Sequence, residues 1–160
     1  VTYRLYTASD FAALYGIEEV CFQRPLRFGL RYMRELVGNP DGATWIAEEA
    51  GRMAGFAIVE WETEASGVLA YIQTIEVAPD WRGRGVGGEL LRCMEASARG
   101  AGALAIWLHV DAENAVAIRL YRAHGYFCRG KQEDYYARGR AALVYAKMLM
   151  EILQDELPRE

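Results

Sequence analysis

The sequence predicts one α/β domain over residues 1–160, a mixed and mostly antiparallel sheet with helices on both faces. Three observations predict it. A chain of 160 residues is about one domain, long enough to bury a single sizeable core. Short apolar segments with period-2 alternation recur on both sides of the middle of the chain, with hairpin signals between them. Between these blocks, Val77-Ala-Pro-Asp-Trp-Arg-Gly-Arg-Gly-Val-Gly-Gly-Glu-Leu-Leu91 leads from a strand through a glycine-rich turn into a helix.

Composition narrows the functional class. Hydrophobic residues make up 52% and charged residues 25%, which suits a globular domain and argues against disorder or a coiled coil. A net charge of −4 speaks against a general nucleic-acid binder and is compatible with a cationic or amine substrate. Cys21, Cys93 and Cys128 are odd in number and widely spaced, so they are expected to be reduced and packed, with no disulfide framework and no metal site. There is no signal-peptide pattern and no apolar run of membrane length. The expectation is a soluble, cytoplasmic protein without a membrane partner, a monomer or homodimer.

Taken in order, Thr2–Tyr6 alternates as a strand, and Thr7 or Ser9 can cap a helix with Phe11, Leu14, Ile17 and Cys21 inward. Pro25 interrupts it. A second helix is expected over Gly29–Val37 with Leu30, Met33 and Val37 inward, ending at Gly38-Asn-Pro40. Thr44–Glu48 and Met53–Trp61 read as strands joined through Ala50-Gly-Arg52. The acidic Glu60–Gly67 reads as a loop before a strand at Val68–Val77. After the glycine-rich turn, Leu90, Leu91, Met94 and Ala98 repeat at helical spacing until Gly100 and Gly102. Leu104–Val110 then forms a strand with Leu104, Ile106, Leu108 and Val110 on one face and Trp107 and His109 on the other. Asn114 starts a helix that runs to His124, with Gly125 as its C-terminal cap. Asn114, Ile118 and Tyr121 share one side of it.

The glycine-rich turn reads as a pyrophosphate cradle. Its glycines allow positive φ and close backbone approach, the helix beyond points free N–H groups and its positive dipole end into the loop, and Arg82 and Arg84 add charge. Gly83-x-Gly85-x-x-Gly88 also matches a dinucleotide fingerprint, with Asp111 as the acid. However, Ala78–Arg82 separates strand from glycines, and the 72 residues after Gly88 are too few for that fold's second half.

The alternative motif, Arg82-x-x-Gly85-x-Gly87, resembles the acetyl-CoA loop of the GNAT N-acetyltransferase superfamily. Val110-Asp-Ala-Glu-Asn114 with Ala117, Leu120-Tyr121 and Gly125-Tyr126-Phe127 resembles that family's second segment, and the two lie in family order. Asp134–Met148, with its Tyr135-Tyr136 pair before a glycine turn, resembles the terminal hairpin of bacterial ribosomal-protein alanine N-acetyltransferases. The resemblance implies a strand order and an activity, acetyl transfer from acetyl-CoA to a primary amine, most plausibly a protein N-terminus. It also implies that Ile75, Glu76, Val77, Arg82, Gly83, Arg84, Gly85, Val86, Gly87, Gly88, Asn114 and Tyr121 hold the cofactor, and that Tyr135 and Tyr136 meet the acceptor.

Thioester aminolysis needs a proton acceptor for the amine, donors for the carbonyl oxygen and an acid for the thiolate. In the geometry that the resemblance implies, Ile75–Val77 splays from its neighbouring strand and its free N–H groups are candidates for the second need, with Tyr121 for the third. His109 stands where the alanine N-acetyltransferases carry a glutamate, five residues before the asparagine. A neutral imidazole there can accept a proton or relay one through water; Glu76 is the alternative base, although period 2 sets it opposite Ile75 and Val77. His124 reads as a helix cap. A covalent acyl-enzyme is disfavoured, since no cysteine lies in either motif. The rivals are a small-molecule amine acetyltransferase and a non-catalytic acyl-CoA sensor.

Overall fold

Alternating apolar and polar residues become seven strands and the 3.6-periodic segments four helices in a computed structural model that describes residues 1–150. The order is β1 (Thr2–Leu5), α1 (Phe11–Cys21), α2 (Leu30–Val37), β2 (Gly42–Glu49), β3 (Arg52–Glu64), β4 (Gly67–Val77), α3 (Val86–Gly100), β5 (Ala103–Asp111), α4 (Ala115–Ala123), β6 (Phe127–Ala137) and β7 (Arg140–Met148). One sheet forms in the order β1-β2-β3-β4-β5-β7-β6. Every pairing is antiparallel except β4 with β5. The parallel step follows from the connection, because α3 carries the chain across the face and returns it in the same direction.

The two faces carry different cores. On one, Leu90, Leu91, Met94 and Ala98 of α3 are fully buried against Ala57, Val59, Ile72, Ile106 and Leu108, joined by Tyr121 of α4. Each leucine fully withdrawn from water there is worth about 1.5–3 kcal/mol. On the other, Phe11, Leu14 and Ile17 of α1 and Met33 and Leu36 of α2 pack on Ile46, Phe56 and Ile58. In α2 Met33 and Leu36 are buried and Val37, expected inward, packs against the same core. Leu30, expected inward, is the first residue of this short helix and is exposed.

The acidic stretch expected to be a loop is strand. Glu62 pairs with Leu69, Thr63 with Val68 and Glu64 with Gly67, so β3 and β4 form a hairpin that projects past the core. Backbone pairing through a two-residue turn sustains it, although these side chains gain little by burial.

One irregularity in β4 shapes the middle of the molecule. Ile58 pairs with Thr74 but Val59 pairs with Ile72, which leaves Gln73 as an extra residue in a bulge. A bulge reverses the side-chain phase and increases local twist. Accordingly Ala70 and Ile72 face α3, whereas Thr74 and Glu76 lie beside Ile58 and Phe56 on the α1 face. The parallel ladder to β5 ends at the same place, with its last pair at Ile72 and Leu108. From Gln73 to Val77 the β5-facing edge of β4 is open.

Candidate active site

The open edge of β4 forms one wall of a cleft of about 590 Å³. Its other walls are the segment after α1 (Phe22, Pro25, Leu26, Phe28), the side of α4 and the end of the β6–β7 hairpin. The hairpin leans in because residues 133–136 leave the β6–β7 ladder, whose pairing passes from Gln132–Ala142 to Ala137–Arg140. Asp134 adopts φ +52 there and its Oδ1 accepts from the Gly139 N–H, which closes the bend. Tyr135 and Tyr136 thereby line the cleft, as does the rim ion pair of Arg140 with Asp111.

At the floor lies a hydrogen-bonded chain. Tyr71 and Trp107 are partners across the parallel ladder, and His109 follows Trp107 on the same face. The Tyr71 hydroxyl is 2.7 Å from His109 Nδ1, and His109 Nε2 is 2.9 Å from Gln132 Oε1. With the Gln132 oxygen accepting from Nε2–H, Nδ1 is left unprotonated to accept from Tyr71. Tyr135 stacks on the imidazole with ring centroids 4.2 Å apart. Burial lowers the His109 pKa, partly offset by the Gln132 hydrogen bond, so the ring is neutral at pH 7. Burial, then the neighbouring Tyr135, raises that of Tyr71 far above a free phenol, so it holds its proton unless its partner takes it as another arrives.

Both nitrogens of His109 are therefore engaged within the protein, and Tyr71 and His109 both line the cleft. Sequence reasoning passed over Tyr71, Gln132 and Glu18. Tyr71 carried a signal: it shares the period-2 face of Gln73 within an apolar strand, beside a strand with Trp107 and His109 on one face.

The glycine loop sits at the end of the open edge. Gly83 and Gly85 adopt φ +76 and +79, a region that side-chain-bearing residues rarely enter. Gly85 is the N-cap of α3 and provides no capping side chain, so the first-turn N–H groups of Val86, Gly87 and Gly88 remain available. The other glycines have packing reasons. A Cβ on Gly88 would come within 3.0 Å of His124, and one on Gly87 within 3.4 Å of Leu120, so both let α4 approach α3. His124 is the C-cap residue of α4 and its Nδ1 donates to the Leu120 carbonyl. Arg82 is turned back onto the strand end, its Nε donating to the Val77 carbonyl at 3.0 Å, while Arg84 is exposed and 3.9 Å from Glu49.

On α4, Asn114 is the N-cap, its Oδ1 accepting from the Ala117 N–H. Asn114, Ala117 and Tyr121 line the cleft; Ile118, expected on that side, packs into the α3 core instead. Tyr121 is buried, and burial followed by the nearby Tyr136 raises its pKa, so it stays protonated.

Ile75 faces the α3 side and lines the cleft, whereas the Glu76 side chain does not reach the loop. It is 2% exposed, meets Glu18 of α1, and its pKa is pushed far above the usual carboxylate range by burial and then by Glu18. A carboxyl that retains its proton at pH 7 is not the free base allowed for Glu76 from the sequence. The bulge that sets it on the α1 face is the reason.

Comparison with known proteins agrees with this architecture. The acetyltransferase (GNAT) family matches residues 11–126. The ribosomal protein bS18-alanine N-acetyltransferase of Escherichia coli K12 is 34% identical over 131 residues, 80% of this chain and 82% of that protein. Streptothricin acetyltransferase of Streptomyces lavendulae is 43% identical over 92 residues, 56% of this chain but only 48% of its own length. The crystal structure of the E. coli ribosomal-protein-S18-alanine N-acetyltransferase superposes with a TM-score of 0.81 at 23% identity, covering 98% of both chains. With its sheet split after Ile72, its glycine loop and these matches, the chain belongs to the GNAT family of acetyltransferases.

Proposed function

We propose that the protein transfers the acetyl group of acetyl-CoA to the α-amine of a protein or peptide N-terminus, with both substrates held in the cleft at once. The observation that carries this reading is the Tyr71–His109–Gln132 chain at the cleft floor, beside the open edge of β4. The E. coli relative that acetylates a ribosomal protein alanine, matched over most of both chains, supports a protein N-terminus as acceptor.

The residues divide the work as follows. The N–H groups of the loop and first turn of α3 receive the donor's pyrophosphate, favoured by the helix dipole. The open edge of β4 around Ile75 offers N–H groups to the thioester carbonyl, whose oxygen gains charge as the amine attacks. Tyr71 Oη takes the amine proton while passing its own to His109 Nδ1, and Gln132 steadies the imidazolium by accepting from Nε2–H. Tyr121, still protonated, stands on the α4 edge to donate to the departing thiolate. That thiolate needs modest help, since a thiol pKa is about 8.5. Tyr135 and Tyr136 close over the acceptor.

A small-molecule amine acceptor is the second reading, favoured by the match to streptothricin acetyltransferase. The test is acetyl-CoA consumption against peptides with different N-termini alongside polyamines, lysine peptides and aminoglycosides. Turnover with N-terminal peptides supports the first reading. Turnover confined to small amines overturns it, and CoA binding without turnover of any acceptor points to a sensor.

A further inference from the structure

Glu18 and Glu76 take no part in the proton chain, yet they are the most deeply buried acids beside the cleft, 0% and 2% exposed. Their carboxyl groups meet across the contact between α1 and β4. Oε2 of Glu18 and Oε1 of Glu76 have no hydrogen-bond partner among the described residues. The other oxygen of each is anchored. The Phe28 N–H donates to Glu18 Oε1 at 2.8 Å, and the Thr74 hydroxyl to Glu76 Oε2 at 2.8 Å.

Two carboxylates cannot both stay ionised at such proximity in a low-dielectric interior. One proton between them converts the repulsion into a short O–H···O⁻ bond and satisfies both orphan oxygens. The location gives the contact a consequence. Through Phe28, Glu18 holds the segment after α1, whose Phe22, Pro25, Leu26 and Phe28 form the cleft wall that we assign to the acceptor. Through Thr74, Glu76 is tied to the open edge of β4, the donor-side wall.

We propose that Glu18 and Glu76 share one proton and act as positioning residues, pinning the acceptor wall of the cleft to the strand that receives the thioester. The effect on turnover rests on the acetyl-transfer reading; the shared proton does not. Around the pair stand the Cys21 thiol from α1 and, 3.4 Å from that sulfur, the Arg82 guanidinium from the glycine loop. Neither supplies the missing hydrogen bond. Because burial and the partner acid raise the Glu76 pKa, the proton is present at neutral pH and is lost as pH rises through the raised value. Alkaline pH then leaves two facing carboxylates, and the wall loosens.

The experiment follows the Phe28 amide resonance by ¹H–¹⁵N NMR from about pH 6.5 to 10 in wild type, Glu18→Gln and Glu76→Gln, with KM for acceptor and Kd for CoA measured in parallel. A glutamine at either position supplies a permanent N–H donor to the remaining carboxylate. The Phe28 resonance of wild type is expected to titrate at alkaline pH, with acceptor KM rising over the same range and CoA affinity unchanged. Both glutamine variants are expected to lose that titration and keep the neutral-pH KM. Glu18→Ala, which also frees Phe28, is expected to raise acceptor KM by about 10-fold. Absence of the alkaline titration in wild type, or its persistence unchanged in both glutamine variants, overturns the shared proton. A CoA affinity that falls with acceptor affinity overturns the positioning role. If no acceptor is turned over by any of these proteins, the acetyl-transfer reading fails, while the Phe28 titration still decides the shared proton.

Discussion

The same strands build two unlike surfaces. On the α3 face, Ile72, Ile106 and Leu108 meet Leu90, Leu91 and Met94 in an apolar layer. At the alternate positions of the same strands, the α1 face carries Tyr71, Trp107 and His109, and past the bulge Thr74 and Glu76. The α3 face gains stability by excluding water from hydrocarbon. The α1 face keeps polar groups buried in a chain of hydrogen bonds and leaves room between them. The difference teaches that the sheet is a scaffold on one side and a chemical surface on the other, with the Gln73 bulge marking where the strands part.

That comparison can be broken by exchanging the consequences of mutation. The largest expected effect on rate is Tyr71→Phe, which removes one hydroxyl from the α1 face: kcat should fall by about 10²–10⁴-fold, with CoA affinity and melting temperature nearly unchanged. Equal kcat in the variant would show that the relay does not run through Tyr71. The converse is Leu90→Ala on the α3 face, which should cost about 2–5 kcal/mol in denaturant unfolding while the remaining folded protein keeps its kcat. A loss of kcat out of proportion to the folded fraction would mean that the faces are not separable.

A smaller effect is expected where the faces meet at the loop. Gly88→Ala places a methyl group against His124 and should cost about 1–3 kcal/mol by overpacking, with weaker CoA binding as α3 and α4 shift apart. Unchanged stability and CoA affinity would show that His124 moves aside freely. The smallest concerns Asp10, far from the cleft. Arg4 bonds both its oxygens at 2.8 Å, and that hydrogen bonding holds its pKa down to about 2. A depressed carboxyl stabilises the fold above its ordinary pKa, and that contribution is lost as pH falls from about 4 toward 2. Asp10→Asn should flatten that limb of the stability curve and leave stability at pH 3 less affected than at pH 7. Equal losses at both pH values would contradict the pairing.

The α3 face was the more legible one in the sequence, for a physical reason. Regular periodicity survives where every inward residue is apolar, so Leu90, Leu91, Met94 and Ala98 announced α3, and Asn114 and Gly125 bracketed α4 by their capping chemistry. The α1 face hides its polar residues inside apolar patterns. Glu18 lies on the stripe of Leu14, Ile17 and Cys21, where an acid is an exception that period counting discards. Tyr71 reads as one more strand aromatic until β5 is laid beside it. The bulge at Gln73 shifts the phase of β4 without any glycine or proline to mark it, so alternation along Val68–Val77 sets Glu76 opposite Ile75 and Val77, as found, but wrongly on the same face as Ile72. The Glu60–Gly67 hairpin was missed because its strands are held by backbone pairing with little burial to leave a pattern.

The central claim is that the amine proton reaches His109 by way of Tyr71, and the most direct measurement is kcat/KM against pH for wild type and His109→Gln on one N-terminal peptide. The peptide's own amine, with a pKa of about 8, adds the same limb to both curves, so their difference isolates the imidazole. Because burial lowers the His109 pKa, wild type should show a further acid limb below about pH 6.5. The glutamine variant should lose that limb along with most of its rate. An identical acid limb in the two proteins, at nearly equal rate, would contradict the account and leave the amine to be deprotonated by solvent.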